Sequence, residues 1–522
     1  MKKNIISTTL AIALAVFGLT AQTTEFDAMR LAQTDIQGTA RFMGMAGAFG
    51  ALGGDASAIH VNPAGLGVYR SSEMTLTLNL ANQRSHANWN EEIANDNLTR
   101  AGFNNVGLVW ASPTMNARAG NTTGLLQSNW GFTYNRLRNF DRNVTIRGGE
   151  MLGANSITQF YANITQQNRL TFEDLESNYA FNFSPWMSIL AYETGLIYNP
   201  VGTQWSSAIL DDETITPRFW LEERGHLDEF AISWGGNISN MFFVGANVNF
   251  QTLNRRMTSG YIEEFGANEQ LDMLNSLHTT GTGLNFGLGV IYRPVHFLRF
   301  GLSYHSPKWY TLTHTYWGNL QSDLLLTDGT MGLFEYDTRW SNRHEAPAEY
   351  NHRVRTPGRF TASAAGVIGQ RALISADFTY TDFRNIRILE ERDRRPVYNP
   401  ENEAIQKTFN NSFTVRVGAE YRITNQFSVR AGFAAQTPTM HYTAAKQHKE
   451  NTTRTDTEYF VHRGTHLFTA GLGYRGNFWY FDAAFVNRNV REDFMPFESA
   501  HISPARVTTR NFDVVATVGL RF

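Results

Sequence analysis

Along most of this chain apolar and polar residues alternate with period two, the pattern of strands that present two different faces. In the stretch NFDVVATVGLRF, Phe512, Val514, Ala516, Val518, Leu520 and Phe522 fall on one side, and Asp513, Val515, Thr517, Gly519 and Arg521 on the other. An apolar row opposite a mixed row containing Asp and Arg fits a strand between lipid and a wet lumen. With that strand (508–522), the alternation predicts strands near 73–83, 103–112, 128–139, 227–238, 241–253, 281–293, 297–310, 357–368, 371–383, 412–423, 427–436, 466–475 and 478–489.

That makes fourteen, an even number, as single-chain bacterial barrels have. The connections alternate in length. Ser239-Asn240, Pro294-Val295-His296, Gly369-Gln370, Thr424-Asn425-Gln426 and Gly476-Asn477 are tight turns of turn-forming residues. Between them run polar stretches read as long loops: 84–102, 140–226, 254–280, 311–356, 384–411, 437–465 and 490–507. Short turns on one side and long loops on the other are the periplasmic and extracellular ends of an outer-membrane barrel. The expected fold is therefore all-β, a 14-stranded antiparallel transmembrane β-barrel. Two stretches depart from this pattern. The connection 113–127 is long for a periplasmic turn, and 140–226 is long enough to need structure of its own. Within it Trp186, Ile189 and Leu190 share a helical face, which Glu193 interrupts.

Composition supports the barrel. A mean hydropathy of −0.33 with 13% aromatic residues suits strands half facing water, with aromatic girdles at both interfaces. Lys2 and Lys3, an apolar run from Leu10 to Leu19 and Thr20-Ala21 read as a signal peptide over 1–21, with the mature chain starting at Gln22. No later segment offers about 20 apolar residues. The expected location is the Gram-negative outer membrane. Lys plus Arg number 45 against 47 Asp plus Glu, a balance that argues against nucleic acid as partner. The absence of Cys excludes a disulfide scaffold. Neither a metal site nor a cofactor is expected.

Residues 22–70 precede the first strand and are not strand-like; 71–522 form the barrel. The segment Gly44–Gly67, GMAGAFGALGGDASAIHVNPAGLG, is dense in Gly and Ala, and Asn62-Pro63-Ala64-Gly65 is a turn signal. It is no phosphate cradle, since it lacks a preceding strand and a Gly-Lys-Ser/Thr. A compact segment on the periplasmic side of a barrel has the lumen to fill, and reads as a plug.

This run resembles the N-terminal hatch of the FadL-type outer-membrane transporters of hydrophobic compounds, with NPAG at Asn62–Gly65 as the best local marker. YNRLRNFDRN (134–143), YHSPKWY (304–310), RTPGRFTASAAGVIGQRALISADFTYTDF (355–383), GAEYRITNQFSVRAGF (418–433) and the final hairpin resemble its haemin-receptor-like branch. The similarity runs from the hatch to Phe522, and 140–226 matches least. The resemblance implies a hatch-plugged 14-stranded barrel. Apolar molecules would diffuse through it and out through a gap in the wall, without an energy-coupling cofactor. The implied ligand is fatty acid-like or an aromatic hydrocarbon, with haem as the alternative; the other partner is outer-membrane lipid, and a monomer is expected.

The site candidates follow. Asn62, Pro63, Ala64 and Gly65 either gate the lumen or only shape the plug's turn. Phe181, Phe183 and Trp186, and Trp309 with Tyr310, either line a groove for apolar ligands or serve as girdle and loop packing. His60 reads as a packed or lumen-facing imidazole, with an axial haem ligand as the alternative. Arg or Lys near such a groove would pair with a carboxylate headgroup. Three rival functions have requirements of their own. An aqueous porin needs a charge-lined constriction and no plug. A TonB-dependent receptor needs a larger plug and about 22 strands. A barrel enzyme needs a convergent His with Ser or Asp at the rim; His352 and Asp456 are isolated candidates that no motif joins. The expectation is no enzyme.

Overall fold

The computed structural model describes residues 23–522 except 177–183, 200–201, 203, 267, 342–345, 370, 391–398 and 449–453. The expected signal peptide, Gln22, Phe181 and Phe183 lie outside the described residues. The chain crosses the barrel wall fourteen times. The passes are β1 (Glu73–Trp89), β2 (Glu92–Trp110), β3 (Leu125–Asn139, continued by Arg142–Arg147), β4 (Thr214–Ile238), β5 (Phe242–Phe265) and β6 (Glu269–Val295). Three interrupted passes follow: β7 (Leu298–His305 and Trp309–Leu325), β8 (Ala348–Arg355 and Arg359–Ile368) and β9 (Ala372–Asp382 and Arg387–Glu390). The last are β10 (Asn411–Arg422), β11 (Phe427–Gln436), β12 (Tyr459–Arg475), β13 (Trp479–Met495) and β14 (Ala505–Arg521). Each is antiparallel to the next. The barrel closes where β1 pairs with β14, from Glu73 opposite Arg521 to Asn88 opposite Arg506. Closure pairs the first strand with the last, so neither is left as an open edge in lipid, where an unsatisfied backbone group costs several kcal/mol.

The two faces of β14 follow the alternation: Val514, Val518 and Leu520 are exposed outward, while Val515 and Thr517 are buried inward. Beyond the apolar belt the phase inverts. Ala87, Trp89, Tyr261, Phe265, Leu271 and Met273 are apolar and buried inward, while the outward row carries His86, Asn88, Glu264 and Gln270. This inversion corrects two expectations. Residues 84–102 and 254–280 are not loops but the ends of long strands. β1 joins β2 through a turn at Asn90-Glu91, both in the left-handed region (φ 51° and 71°), and β5 pairs with β6 from Phe265 opposite Glu269 onward. Outside lipid no apolar outward row remains to mark a strand.

The expected periplasmic turn at Ser239-Asn240 is present, with φ of 53° and 55° at the two residues, as a two-residue hairpin requires. The connection 113–127 contains a one-turn helix, α3 (Met115–Arg118), after α1 and α2 of the N-terminal segment described below. The described residues of 148–213 form a cap over the extracellular mouth. Its helices α4 (Ile157–Gln167), α5 (Phe172–Glu176) and α6 (Trp186–Glu193) contribute Tyr161, Leu175, Trp186, Met187, Ile189 and Leu190 to an apolar cluster with Phe219, Tyr261 and Phe494 of the rim. The inverted phase thus serves the cap: the inward apolar row near the rim is the surface that its helices cover. A seventh helix, α7 (Asn399–Thr408), lies between β9 and β10.

Candidate functional site

Inside the barrel runs the N-terminal segment. Helix α1 (Glu25–Ala32) starts with a capping box between Thr24 and Asp27, and α2 (Ala40–Gly44) is capped by the Thr39 hydroxyl. Beyond α2 the backbone lies directly on inward-facing glycines of the wall. A Cβ added to Gly432 would stand 2.5 Å from the Met45 carbonyl carbon, one on Gly107 2.6 Å from the Ala56 Cβ, and one on Gly235 2.7 Å from the Gly67 nitrogen. Only glycine leaves room for so close an approach.

Hydrogen bonds tie the segment to the wall on several sides. The Asp377 carboxylate accepts from the Phe49 and Gly50 amides, both at 3.1 Å. Asn129 donates to the Leu66 and Tyr69 carbonyls at 2.9 Å, and Thr469 to the Gly44 carbonyl at 3.0 Å. Arg41 pairs with Glu420, which Arg430 links to Asp482.

Asn62, Pro63, Ala64 and Gly65 lie at the centre of this contact. The Asn62 Nδ2 donates to the Gly50 carbonyl at 2.7 Å and to the Val290 carbonyl at 3.3 Å, while its Oδ1 accepts the Ala64 amide at 3.1 Å. Pro63 opens the short 3-10 helix that this cap starts, and Ala64 packs on Phe243 and Ile291. His60 is a packed imidazole: its Nδ1 meets Glu229 Oε1 at 2.7 Å, and its ring lies 6.0 Å from that of His305. Burial pushes this imidazole below its ordinary value, and Glu229 opposes the shift.

Higher in the lumen, α1 sits in a network of charges. Asp27 lies between Arg255 (3.2 Å) and Arg454 (3.0 Å), and Arg30 between Glu223 (3.6 Å) and Glu492 (3.8 Å). Burial alone would raise the Asp27 carboxyl, but Arg454 and Arg255 outweigh it and hold it well below the usual range. Burial does push the Glu25 carboxyl up, to about 7. The isolated candidates His352 and Asp456 have separate partners. His352 meets Thr23 and His314, whereas Asp456 pairs with Arg454 and Lys446.

A cavity of about 190 Å³ lies between the linker joining α1 to α2 and the wall. Ile36, Phe42, Phe140, Phe383 and Leu467 supply apolar surface, and Lys308, Arg359 and Arg416 also line it. None of these three cations has a carboxylate within ion-pair distance among the described residues. The Lys308 Nζ and the Arg416 Nε are buried without a partner. Arg359 reaches the Thr34 hydroxyl at 3.5 Å and Arg416 the Thr379 hydroxyl at 2.5 Å. The reading from sequence named no particular cation. A signal was present in Ser306-Pro307-Lys308 and Thr356-Pro357-Gly358, where a proline breaks two neighbouring strands beside this cavity.

The same cavity reaches Phe140, Asp141 and Arg142, where β3 breaks between its two pieces. Below the break β3 pairs with β2, from Trp130 opposite Trp110 up to Asn135 opposite Asn105. Above it β3 pairs with β4 alone, through Arg142–Arg147. Its backbone there is met by inward side chains of β1 and β2: the Ser85 hydroxyl donates to the Asn143 carbonyl (2.8 Å) and Arg100 to the Asp141 carbonyl (2.7 Å). Thr145 donates to Asp96 from its amide and its hydroxyl. The upper part of β3 therefore bends into the lumen and parts from β2.

The described aromatic candidates, Trp186, Trp309 and Tyr310, do not converge. Trp186 is in the cap cluster. Trp309 is exposed on the outer face, stacked on Phe286 at 6.4 Å. Tyr310 is buried inside with α1. Successive residues of a strand point to opposite faces, so Trp309 and Tyr310 cannot share one groove.

Residues 229–475 match the family "Outer membrane protein transport protein (OMPP1/FadL/TodX)". No curated protein sequence matches the chain. The fold is similar to the crystal structure of a Pseudomonas aeruginosa FadL homologue: 14% identity, 94% of this chain and 99% of that one covered, TM-score 0.50. The Pseudomonas putida toluene transporter TodX aligns at 12% identity over 94% and 99%, with a TM-score of 0.46. The Ralstonia pickettii toluene transporter TbuX aligns at 13% over 93% and 99%, with a TM-score of 0.47.

Proposed function

We propose, starting from the match of residues 229–475 to the outer membrane protein transport family, that this chain carries hydrophobic small molecules across the outer membrane by passive diffusion. The cargo is an amphiphile with an acidic head, such as a long-chain fatty acid. The observation that carries this reading is the cavity beside the β3 break, where apolar side chains stand with three cations that lack carboxylate partners among the described residues. Alkyl chains gain about 0.8 kcal/mol per CH₂ on leaving water, and a carboxylate among Arg and Lys gains charge-assisted hydrogen bonds. The plug stays in the barrel, with Asn62–Gly65 as the gate below the cavity, and cargo leaves sideways between β2 and β3 into lipid. Trp186, in the cap, and Tyr310, beside α1, are the aromatic surfaces on the inward route.

The test is uptake of labelled oleate into liposomes containing the protein. Arg359→Met with Arg416→Met should lower oleate uptake severalfold, leave methyl oleate unaffected and leave assembly intact. A haem arm tests the alternative cargo. Rapid passage of small sugars, or equal oleate uptake by the double variant, would overturn the reading.

A further inference from the structure

On the outer wall, on the extracellular side of the apolar belt, arginines stand opposite one another without acidic partners among the described residues. The outward row of β1 reads Met74, Leu76, Leu78, Leu80 and then Asn82, Arg84, His86. At roughly 3.3 Å per residue, its apolar part is about 20 Å long. The outward row of β14 likewise passes from Leu520, Val518 and Val514 through Phe512 to Arg510, Thr508 and Arg506. The register places Arg84 directly opposite Arg510, His86 opposite Thr508 and Asn88 opposite Arg506. On the next strand, Arg491 faces Thr508 and Asn489 faces Arg510.

Like charges directly opposite in a sheet destabilise it, so the Arg84–Arg510 pair calls for a compensating anion. Among the described residues no carboxylate lies within ion-pair distance of Arg84, Arg510, Arg491 or Arg506. Arg84 donates to the Asn82 side chain at 3.1 Å, and its guanidinium lies 5.5 Å from the centre of the Phe512 ring. Asp96, the nearest acid on β2, turns inward to Thr145. Arg84, His86, Asn97, Thr508, Arg510 and Phe512 border a depression of about 490 Å³ in this face.

We infer that this depression binds a phosphate-bearing glycolipid of the outer leaflet. The phosphate lies between Arg84 and Arg510, and the acyl chains run down the apolar row below. Two features choose the lipid over a soluble anion or a protein. The cations sit immediately above the belt, at headgroup height, and the apolar row of Leu80, Val514 and Phe485 continues directly beneath them. Guanidinium forks match phosphate oxygens. The site is on the outside of the wall, separate from the transport cavity.

The experiment uses full-length protein purified from outer membranes, with retained lipid counted by native mass spectrometry. Wild type should retain one phosphorylated glycolipid. Arg84→Ala with Arg510→Ala should lower retention by about tenfold or more, the scale of a lost charge-assisted hydrogen bond. Arg422→Ala, at the periplasmic end, should keep it, and heat-modifiable migration should show all three barrels assembled. In a rebinding arm, the phosphorylated glycolipid should restore occupancy and its dephosphorylated form should not. Equal retention by wild type and the double variant, equal rebinding of the dephosphorylated lipid, or full competition by inorganic phosphate alone would overturn the inference.

Discussion

A methyl group added to Gly289 would overlap the Oδ1 of Asn62. The Asn62 side chain packs directly on the barrel backbone, its Nδ2 donating to the Val290 carbonyl at 3.3 Å. The same side chain caps the turn through Pro63, Ala64 and Gly65. Plug and wall are therefore fitted to each other at the level of backbone atoms, and movement of the turn needs a coordinated shift of both.

Gly289→Ala should consequently dislodge the turn. Overpacking of this kind costs about 1–3 kcal/mol, so the temperature at which the folded gel band disappears should fall. Conductance in planar bilayers should rise as the lumen leaks. Wild-type values for both would mean that Asn62 moves freely and that the turn does not seal the lumen.

Gly102 of β2 lies just above the last residues paired between β2 and β3, and a Cβ there would meet the Asn79 side chain at 3.0 Å and that of Arg136 at 3.6 Å. A phenylalanine at this point would fill the parting of the two strands. Gly102→Phe should abolish most oleate uptake while the barrel assembles normally. Unchanged uptake would mean that cargo leaves by another route.

The Glu25 carboxyl, raised by burial from 4.5 to about 7, gives the docking of α1 a defined pH dependence. Between those values the docked state binds more protons than the undocked chain. The Glu25 contribution to docking is therefore largest below pH 4.5 and is lost as pH rises to 7, by up to about 3 kcal/mol. Hydrogen exchange of the α1 amides should be slower at pH 4.5 than at pH 8 after correction for intrinsic rates. Glu25→Gln, which keeps an oxygen for the Gln447 amide, should remove the difference.

Val514 is exposed on the lipid side of β14. Val514→Arg should cost about 2–4 kcal/mol if it lies near the middle of the bilayer and should reduce the heat-modifiable fraction. Val514→Leu should be neutral. Normal assembly of the arginine variant would contradict the assignment of the faces.

What the amino-acid order determined by itself was whatever depends on neighbours two apart. The rows of β14, the number of passes, the turn at Ser239-Asn240 and the plug-like Gly44–Gly67 were legible because strand alternation and turn chemistry are local. Even the two hairpins joining β1 to β2 and β5 to β6 obey the alternation, with its phase reversed. They were hidden only because the apolar row there faces the cap instead of lipid. Tertiary structure alone decided the site. Lys308, Arg359 and Arg416 are far apart in sequence and meet because β7, β8 and β10 curve around one lumen. The parting of β3 from β2 depends on inward side chains of β1 and β2, at Ser85, Asp96 and Arg100, holding its displaced backbone. The opposition of Arg84 and Arg510 exists only because the first and last strands close the barrel in one register. Closure, stagger and inward bending relate residues hundreds apart, and no local pattern encodes which of them will face one another.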